Sequence, residues 1–203
     1  MTSFDYLLQI LLDPDSYLHP SRLPMAPEAW LSLTRATRNA LIVAQYGLGD
    51  APLETIPIDA CTAILLRSWA WIPELCLLLG LFSQRAEWRL STRYRQLSQY
   101  ARRFLELPLP QLAVPAVART SAVDPIACGL VALRITYPTI PTVLSERLAL
   151  CFPASTDNDA TLLQRQLVAK GTQSWVSFTT FSTAMCYAKN LAQDIREGTG
   201  SRG

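Results

Sequence analysis

The most concentrated chemistry in this sequence is a cluster of guanidinium groups between residues 85 and 103. Six arginines stand there against one acid, so the segment carries 6 − 1 = +5 in a chain whose formal net charge is only +2. Arg85, Arg89 and Arg93 recur every four residues, a spacing that places side chains on one face of a helix. Trp88 lies among them, and arginine with aromatic residues is typical of protein interfaces. We therefore predict that these four residues contact a partner protein.

This arginine cluster has two other interpretations. Arginines and aromatic rings also contact the phosphates of nucleic acid, so a helical nucleic-acid-binding or regulatory module is the alternative function. A solvated helix face, in which the arginine stems cover apolar surface, is the simplest interpretation. Taken over the whole chain, the nearly balanced charge gives no reason to expect a nucleic-acid partner. The sequence leaves the three interpretations of the cluster open.

Residues for catalysis are scarce. Nucleophilic catalysis by Ser, Cys or Thr needs a neighbouring base, and the single histidine, His19, lies in a proline-rich loop. No G-x-S-x-G elbow and no glycine-rich phosphate loop is present. The acid pairs Asp13/Asp15 and Asp157/Asp159 fall in turn-like segments, where capping explains them. We predict a protein that is no enzyme and needs no cofactor.

The five cysteines indicate a reducing environment and no metal site. They are dispersed, without CxxC spacing, and stand in apolar runs, which is typical of buried free thiols. A zinc site would need clustered ligands, whereas His19 is far from every cysteine in sequence.

A membrane location is also disfavoured. Residues 1–5 lack the basic region of a signal peptide. The most apolar stretch, 63–82, contains Arg67, Pro73 and Glu74, and each charge would cost about 2.5–3.5 kcal/mol at the centre of a bilayer. A buried helix pair interrupted at Pro73 explains this stretch better. We expect a cytoplasmic protein that does not insert into a membrane.

Along most of the chain, apolar residues recur at the spacing of a helix. We predict a mainly α fold, an irregular domain of six to eight helices with proline-rich loops and little or no sheet. One domain over residues 1–197 and a disordered tail over 198–203 are expected. The predicted helices span residues 4–12, 27–46, 58–70, 74–81, 83–105, 125–137, 142–151, 159–170 and 173–196, and 175–180 has a strand as its alternative. The stretch 108–123 is predicted to be a connecting loop.

The segment 10–28 carries a specific motif, Asp-Pro-x-Ser-Tyr-x-His-Pro-x-Arg-Leu followed by Ala-Pro-Glu. It resembles the N-terminal signature of the SctK family (also OrgA, MxiK or YscK) of bacterial type III secretion systems, above all its OrgA branch. The segments 66–80, which begins Leu-Arg-x-Trp, and 144–153 resemble later parts of that branch. The signature falls here mainly on Asp13, Pro14, Tyr17, His19, Pro20, Leu23, Pro27 and Glu28.

The resemblance implies a function and a set of partners. SctK-like proteins lie in the cytoplasmic sorting platform, peripheral to the inner-membrane base of the secretion apparatus. They link the cytoplasmic domain of the ring protein (SctD) to the pod protein (SctQ), and so help to position the stalk protein (SctL) and the ATPase (SctN). They have no known catalytic activity, so the resemblance implies a non-enzymatic adaptor needed for protein secretion. A secretion chaperone is a rival, but those are usually acidic dimers with clear strands.

The signature loop also has a physical interpretation. Its four prolines restrict the backbone of the unfolded chain, so the loop can be rigid without strands. We expect Tyr17, Leu18 and Leu23 to anchor it and His19 to bond a neighbouring carbonyl. The motif would then be structural and would hold the first helix on the rest of the domain. Direct contact with a partner is the alternative.

Overall fold

Every regular element in the described part of the chain is a helix. The computed structural model describes residues 2–49, 52–110, 124–168 and 177–200. Within these ranges there are eleven α-helices and no strand, which confirms the mainly α prediction but exceeds six to eight helices. The helices are α1 Ser3–Leu12, α2 Pro27–Ser32, α3 Arg35–Tyr46, α4 Ala60–Arg67, α5 Ile72–Ser83, α6 Arg85–Leu90, α7 Gln99–Glu106, α8 Pro125–Thr136, α9 Thr142–Leu150, α10 Ala154–Val168 and α11 Phe178–Gly200.

Short side chains that cap helices account for the higher number of helices. The helix predicted over 27–46 is two helices, because Thr34 has an extended backbone and its hydroxyl accepts the N–H of Thr37, which begins α3. Pro27 opens α2 with Glu28 in its first turn, as predicted. The predicted helix 83–105 is also wrong as one element. It divides into α6, a 3₁₀ helix over Thr92–Gln96, and α7.

The interruption in the apolar stretch lies earlier than predicted. Helix α4 ends at Arg67, a 3₁₀ turn over Trp69–Trp71 follows, and Pro73 is the second residue of α5. A proline in the first helical turn costs no hydrogen bond, because the N–H there has no partner within the helix. Among the described residues, no single helix is both long and apolar enough to cross a bilayer.

Three predictions concern segments at the edge of what the structure describes. Helix α11 begins at Phe178, so the strand alternative is wrong for residues 178–180, whereas residues 175–176 lie outside the described ranges. The helix continues to Gly200, three residues into the segment expected to be a tail, and the last three residues lie outside the description. Of the loop predicted over 108–123, residues 111–123 are likewise not described.

The described residues fall into two compact units, each built from discontinuous segments. Unit 1 comprises residues 1–70 and 139–155, and unit 2 comprises 71–138 and 156–203. The core of unit 1 contains a cluster of Trp30, Ile42, Leu48 and Leu150.

Unit 2 is centred on the packing of α5 against α8. These helices meet backbone to backbone at two glycines: a Cβ on Gly80 would lie 1.6 Å from the carbonyl oxygen of Pro125, and one on Gly129 would lie 1.7 Å from that of Cys76. Rings of α5, α7 and α11 extend the core, since the Phe104 ring lies 5.4 Å from that of Phe82 and 5.6 Å from that of Tyr187.

Candidate functional site

The basic cluster of unit 2 lies on a broken hairpin of short helices. Ser91 has an extended backbone, and its hydroxyl accepts the N–H of Arg93, which ends α6 and begins the 3₁₀ helix. Ser98 caps α7 in the same manner through the N–H of Ala101. The phenol of Tyr94 donates to Glu106 Oε1 at 2.8 Å and ties the 3₁₀ helix to α7. We call residues 85–106 the basic hairpin.

Two of the predicted arginines support this hairpin. Arg89 Nη2 donates to the carbonyl oxygen of Leu105 at 2.7 Å, at the C-terminal end of α7, where a cation is favoured by the helix dipole. The guanidinium carbon of Arg85 lies 4.9 Å from the centre of the Phe82 ring, a cation–π distance. Arg85 is half-buried, whereas Arg89 remains exposed. Part of this positive charge therefore stabilises the fold.

Arg93 and Trp88 occupy different surroundings. Trp88 is half-buried, and its indole N–H donates to Gln84 Oε1 at 3.2 Å. Arg93 lies beyond the break at Ser91, in the 3₁₀ helix, and its side chain is exposed. The structure thus brings Arg85, Trp88 and Arg89 together on α6 but does not place Arg93 on the same helix. The prediction that Arg85, Arg89 and Arg93 lie on one face of a single helix is wrong for that reason.

In unit 1, the signature loop is held by charged hydrogen bonds from α3. The Asp13 carboxylate is buried and accepts from Arg35 Nε at 2.8 Å and from Asn39 Nδ2 at 3.0 Å. Burial by itself raises the pKa of Asp13, but these donors and Ser16 outweigh it and hold the pKa below its ordinary value.

Asp15 is the second acidic anchor of the loop. It forms an ion pair with Arg38 at 2.9 Å and accepts from the indole N–H of Trp30 at 2.9 Å. The carboxylates of Asp13 and Asp15 therefore hold the loop through ion pairs with α3, whereas the capping role predicted for the pair is not seen, because the Asp13 side chain makes no cap hydrogen bond.

The rest of the signature is fastened to α1 and to the end of α9. The Tyr17 phenol donates to the carbonyl oxygen of Ile10 at 2.8 Å, and burial raises the pKa of Tyr17 well above its usual range. The backbone N–H of His19 donates to the carbonyl oxygen of Leu150 at 2.8 Å, while its ring accepts the N–H of Ser21. The His19 ring therefore caps the turn at Ser21, whereas the bond to a carbonyl comes from the backbone.

The remaining signature residues support the same loop. Pro14 is buried and opens one 3₁₀ turn, Pro20 opens another, and Leu23 packs with Tyr17 and Leu18 against the Trp30 cluster. These contacts support a structural role for most of the motif. Glu28 is exposed in the first turn of α2.

Parts of the three segments that carry the family resemblance meet within unit 1, to which segment 66–80 contributes only residues 66–70. Segment 144–153 receives the His19 backbone N–H and also Arg22 Nε, which donates to the carbonyl oxygen of Phe152. From segment 66–80, Trp69 contributes a ring that stands edge-on to Tyr17 with 5.6 Å between centroids. No prediction named Trp69 or Arg67 as site residues, although the Leu-Arg-x-Trp run marked their place.

Within the described ranges, no group of three or more His, Cys, Asp or Glu side chains could hold a metal ion. All five cysteines are free thiols. The expectation that all are buried is wrong for two of them, because Cys186 is exposed on α11 and Cys61 is half-buried.

Comparison with known proteins gives one consistent result. Residues 7–190 match the family described as bacterial type III secretion apparatus protein (OrgA_MxiK). The chain is 30% identical over 146 residues to proteins named oxygen-regulated invasion protein OrgA from Salmonella typhimurium strains 14028s, SL1344 and LT2. This alignment covers 71% of the present chain and 73% of each relative. No solved structure shows a significant match.

Proposed function

Because the chain belongs to the OrgA/MxiK family of bacterial type III secretion apparatus proteins, we propose that it is a non-enzymatic adaptor of the apparatus. It links the cytoplasmic domain of an SctD-like inner-membrane ring protein to an SctQ-like pod protein, and through the latter to SctL-like and SctN-like components. The observation that carries the proposal is the family match over residues 7–190, which includes most of both compact units. Its place is the cytoplasmic side of the inner membrane.

Two features of the structure support a role in binding proteins. The signature loop is stabilised by its own ion pairs and backbone contacts, so unit 1 has a rigid frame on which a binding surface can be built. The basic hairpin of unit 2 exposes Arg89, Arg93, Arg95 and Arg103. Exposed charge of one sign steers association with an acidic partner and fixes its orientation.

The direct test of this function is reconstitution from purified components. The full chain is mixed with the ring protein's cytoplasmic domain and with the pod protein encoded in the same secretion gene cluster, singly and together. We expect two binary complexes and one ternary complex on size exclusion with light scattering. Binding of neither protein would contradict the proposal, and binding of only one would contradict the linking role.

We propose that the arginines of the basic hairpin form the surface to which an acidic partner docks. Since Arg89 also holds the end of α7 and Arg85 packs on the Phe82 ring, the sharper test reverses Arg93 and Arg95, which are exposed in the 3₁₀ helix. The double variant Arg93→Glu/Arg95→Glu should melt within a few degrees of wild type, because exposed substitutions usually change stability by less than about 0.5 kcal/mol. Its association with the partner should slow and lose part of its salt dependence.

A matched control locates this effect. Arg165→Glu changes one exposed arginine of α10 and should leave association unchanged. If the double variant is folded and associates like wild type, the exposed arginines of the hairpin are only a solvated surface.

A further inference from the structure

The most exposed large apolar side chain in the described part of the chain lies on the basic hairpin. Leu90, the last residue of α6, is 91% exposed. Leu31 at 73% and Leu12 at 70% come next, and both belong to unit 1. A single exposed leucine is common in soluble proteins. Leu90 is different because it lies in the segment where the positive charge of the chain is most concentrated.

The arginines near Leu90 carry charge that the hairpin does not neutralise. Residues 85–106 contain six arginines and two glutamates. No ion pair found in the described ranges involves these arginines. Arg89, Arg93 and Arg95 are exposed and stand within five residues of Leu90. The hairpin therefore presents one large apolar side chain beside several uncompensated cations.

This combination fits a protein surface better than a nucleic acid or a lipid. Protein interfaces have an apolar centre and a polar rim, which one leucine with neighbouring arginines would match. The phosphates of a nucleic acid would pair with the arginines but offer no apolar site to the leucine. A lone leucine also buries far less apolar area than the acyl chain or amphipathic helix that holds a protein on a membrane.

The location given under the proposed function identifies the partner on this side of the chain, and this step rests on that proposal. The cytoplasmic leaflet of a membrane has a negative surface potential, which attracts basic surfaces within a Debye length of about 8 Å. At the cytoplasmic side of the inner membrane, this attraction turns the basic hairpin toward the bilayer. The cytoplasmic domain of the inner-membrane ring protein approaches from the same side.

We propose that the basic hairpin docks on the ring protein's cytoplasmic domain with Leu90 as its apolar anchor. Leu90 enters an apolar socket in an acidic face of that domain, and Arg93 and Arg95 pair with the acids around the socket. In this arrangement the arginines govern the rate of association. Burial of Leu90 governs the rate of dissociation, where most differences in affinity between variants of one interface arise.

Leu90→Gln tests the anchor and leaves every charge in place. Because the position is 91% exposed, the variant should melt within a few degrees of wild type. Interferometry with the full-length chain and the ring protein's cytoplasmic domain measures both rates. We expect the affinity to fall about tenfold or more through faster dissociation, since the burial of a leucine accounts for such a factor. The association rate and its salt dependence should match wild type, unlike those of Arg93→Glu/Arg95→Glu.

Two controls accompany this variant. Leu162→Gln changes another exposed leucine, which is 56% exposed on α10, and should bind the ring protein's cytoplasmic domain as wild type does. The pod protein is the second control, and it should bind Leu90→Gln with the affinity of wild type.

A second measurement uses the unaltered chain, so it does not depend on how a variant folds. The methyl signals of Leu90, in a sample with ¹³C-labelled leucine methyl groups, are assigned as those missing from Leu90→Gln. A soluble gadolinium chelate should broaden these signals in the free chain, because the side chain is exposed. The ring protein's cytoplasmic domain should protect them from broadening, whereas the pod protein should not.

Vesicles of phosphatidylglycerol and phosphatidylcholine test the lipid alternative. We expect Leu90→Gln to bind these vesicles as wild type does. If the variant loses vesicle binding but keeps its affinity for the ring protein's cytoplasmic domain, Leu90 contacts lipid and the inference is wrong.

The remaining outcomes separate the inference from the proposed function. If the wild-type chain binds neither partner protein, the proposed function fails and the inference fails with it. If wild type binds both but Leu90→Gln keeps full affinity for the ring protein's cytoplasmic domain, or weakens only the pod protein, the inference is wrong and the proposed function stands. The same holds if the Leu90 methyl signals stay unprotected in the complex.

Discussion

At the scale of single residues, Asp13 illustrates how the signature loop depends on charge. Its carboxylate accepts hydrogen bonds from Arg35 and Asn39, and its pKa is held below the ordinary value of 3.8. A group whose pKa falls on folding stabilises the folded state above its unfolded pKa and loses that contribution as the pH falls through its folded pKa. The loop should therefore be weakened by strong acid.

Asp13→Asn tests this dependence directly. At pH 7 we expect the free energy of unfolding to fall by about 1–3 kcal/mol, because Arg35 and Asn39 lose a charged acceptor at the buried Asp13 position. The difference between wild type and variant should shrink once the pH drops below about 3.8, where Asp13 of the unfolded wild-type chain begins to protonate, and should vanish below the lower pKa of the folded state. Urea titrations at pH 7, 5, 4 and 3 measure the difference in free energy of unfolding between wild type and Asp13→Asn. Asp159→Asn, on the exposed face of α10, is the control. A difference that does not change with pH would show that the charge of Asp13 is unimportant.

At the scale of elements, the closest contact is that between α5 and α8. Gly129→Ala puts a methyl group at a point 1.7 Å from the carbonyl oxygen of Cys76, and backbone cannot rotate away as a side chain can. The helices must separate, and overpacking of this kind costs typically about 1–3 kcal/mol. Gly49→Ala, which meets nothing within 4 Å, is the control. Thermal unfolding followed at 222 nm should show a lower Tm for Gly129→Ala only, and equal Tm values would mean that the two helices pack less closely.

The elements also show which parts of the fold were predictable. Periodicity and proline positions correctly placed α1, α8 and α9, because each has local start signals such as the Asp124 cap before Pro125. The breaks at Thr34 and Ser91 were missed, since a hydroxyl residue is tolerated within a helix and begins a new one only when tertiary packing favours the turn.

The sequence showed less of the candidate sites than of the helices. The arginine cluster was visible as composition, but the contact of Arg89 with Leu105 depends on the hairpin formed by that missed break. The edge-on contact between Trp69 and Tyr17 joins residues about fifty positions apart, and no local pattern specifies such a meeting.

At the scale of the whole molecule, neither compact unit is a continuous stretch of chain. The chain passes between the units after Ala70, Pro138 and Ser155, so α9 belongs to unit 1 although α8 precedes it in unit 2. Folding of each unit therefore closes a loop that contains part of the other unit. On this connectivity we propose that the one domain predicted over residues 1–197 unfolds in a single cooperative transition.

A probe in each unit can test this cooperativity. Samples labelled with 5-fluorotryptophan report on Trp30 in the core of unit 1 and on Trp88 in unit 2, each assigned by a Trp→Phe variant. We expect both fluorine signals to disappear at the same temperature, because folding of each unit closes loops that contain part of the other. Gly129→Ala should then lower both transition temperatures equally, although the substitution lies only in unit 2. If the Trp30 signal survives in that variant after the Trp88 signal is lost, the units are independent domains and the single-domain prediction is wrong.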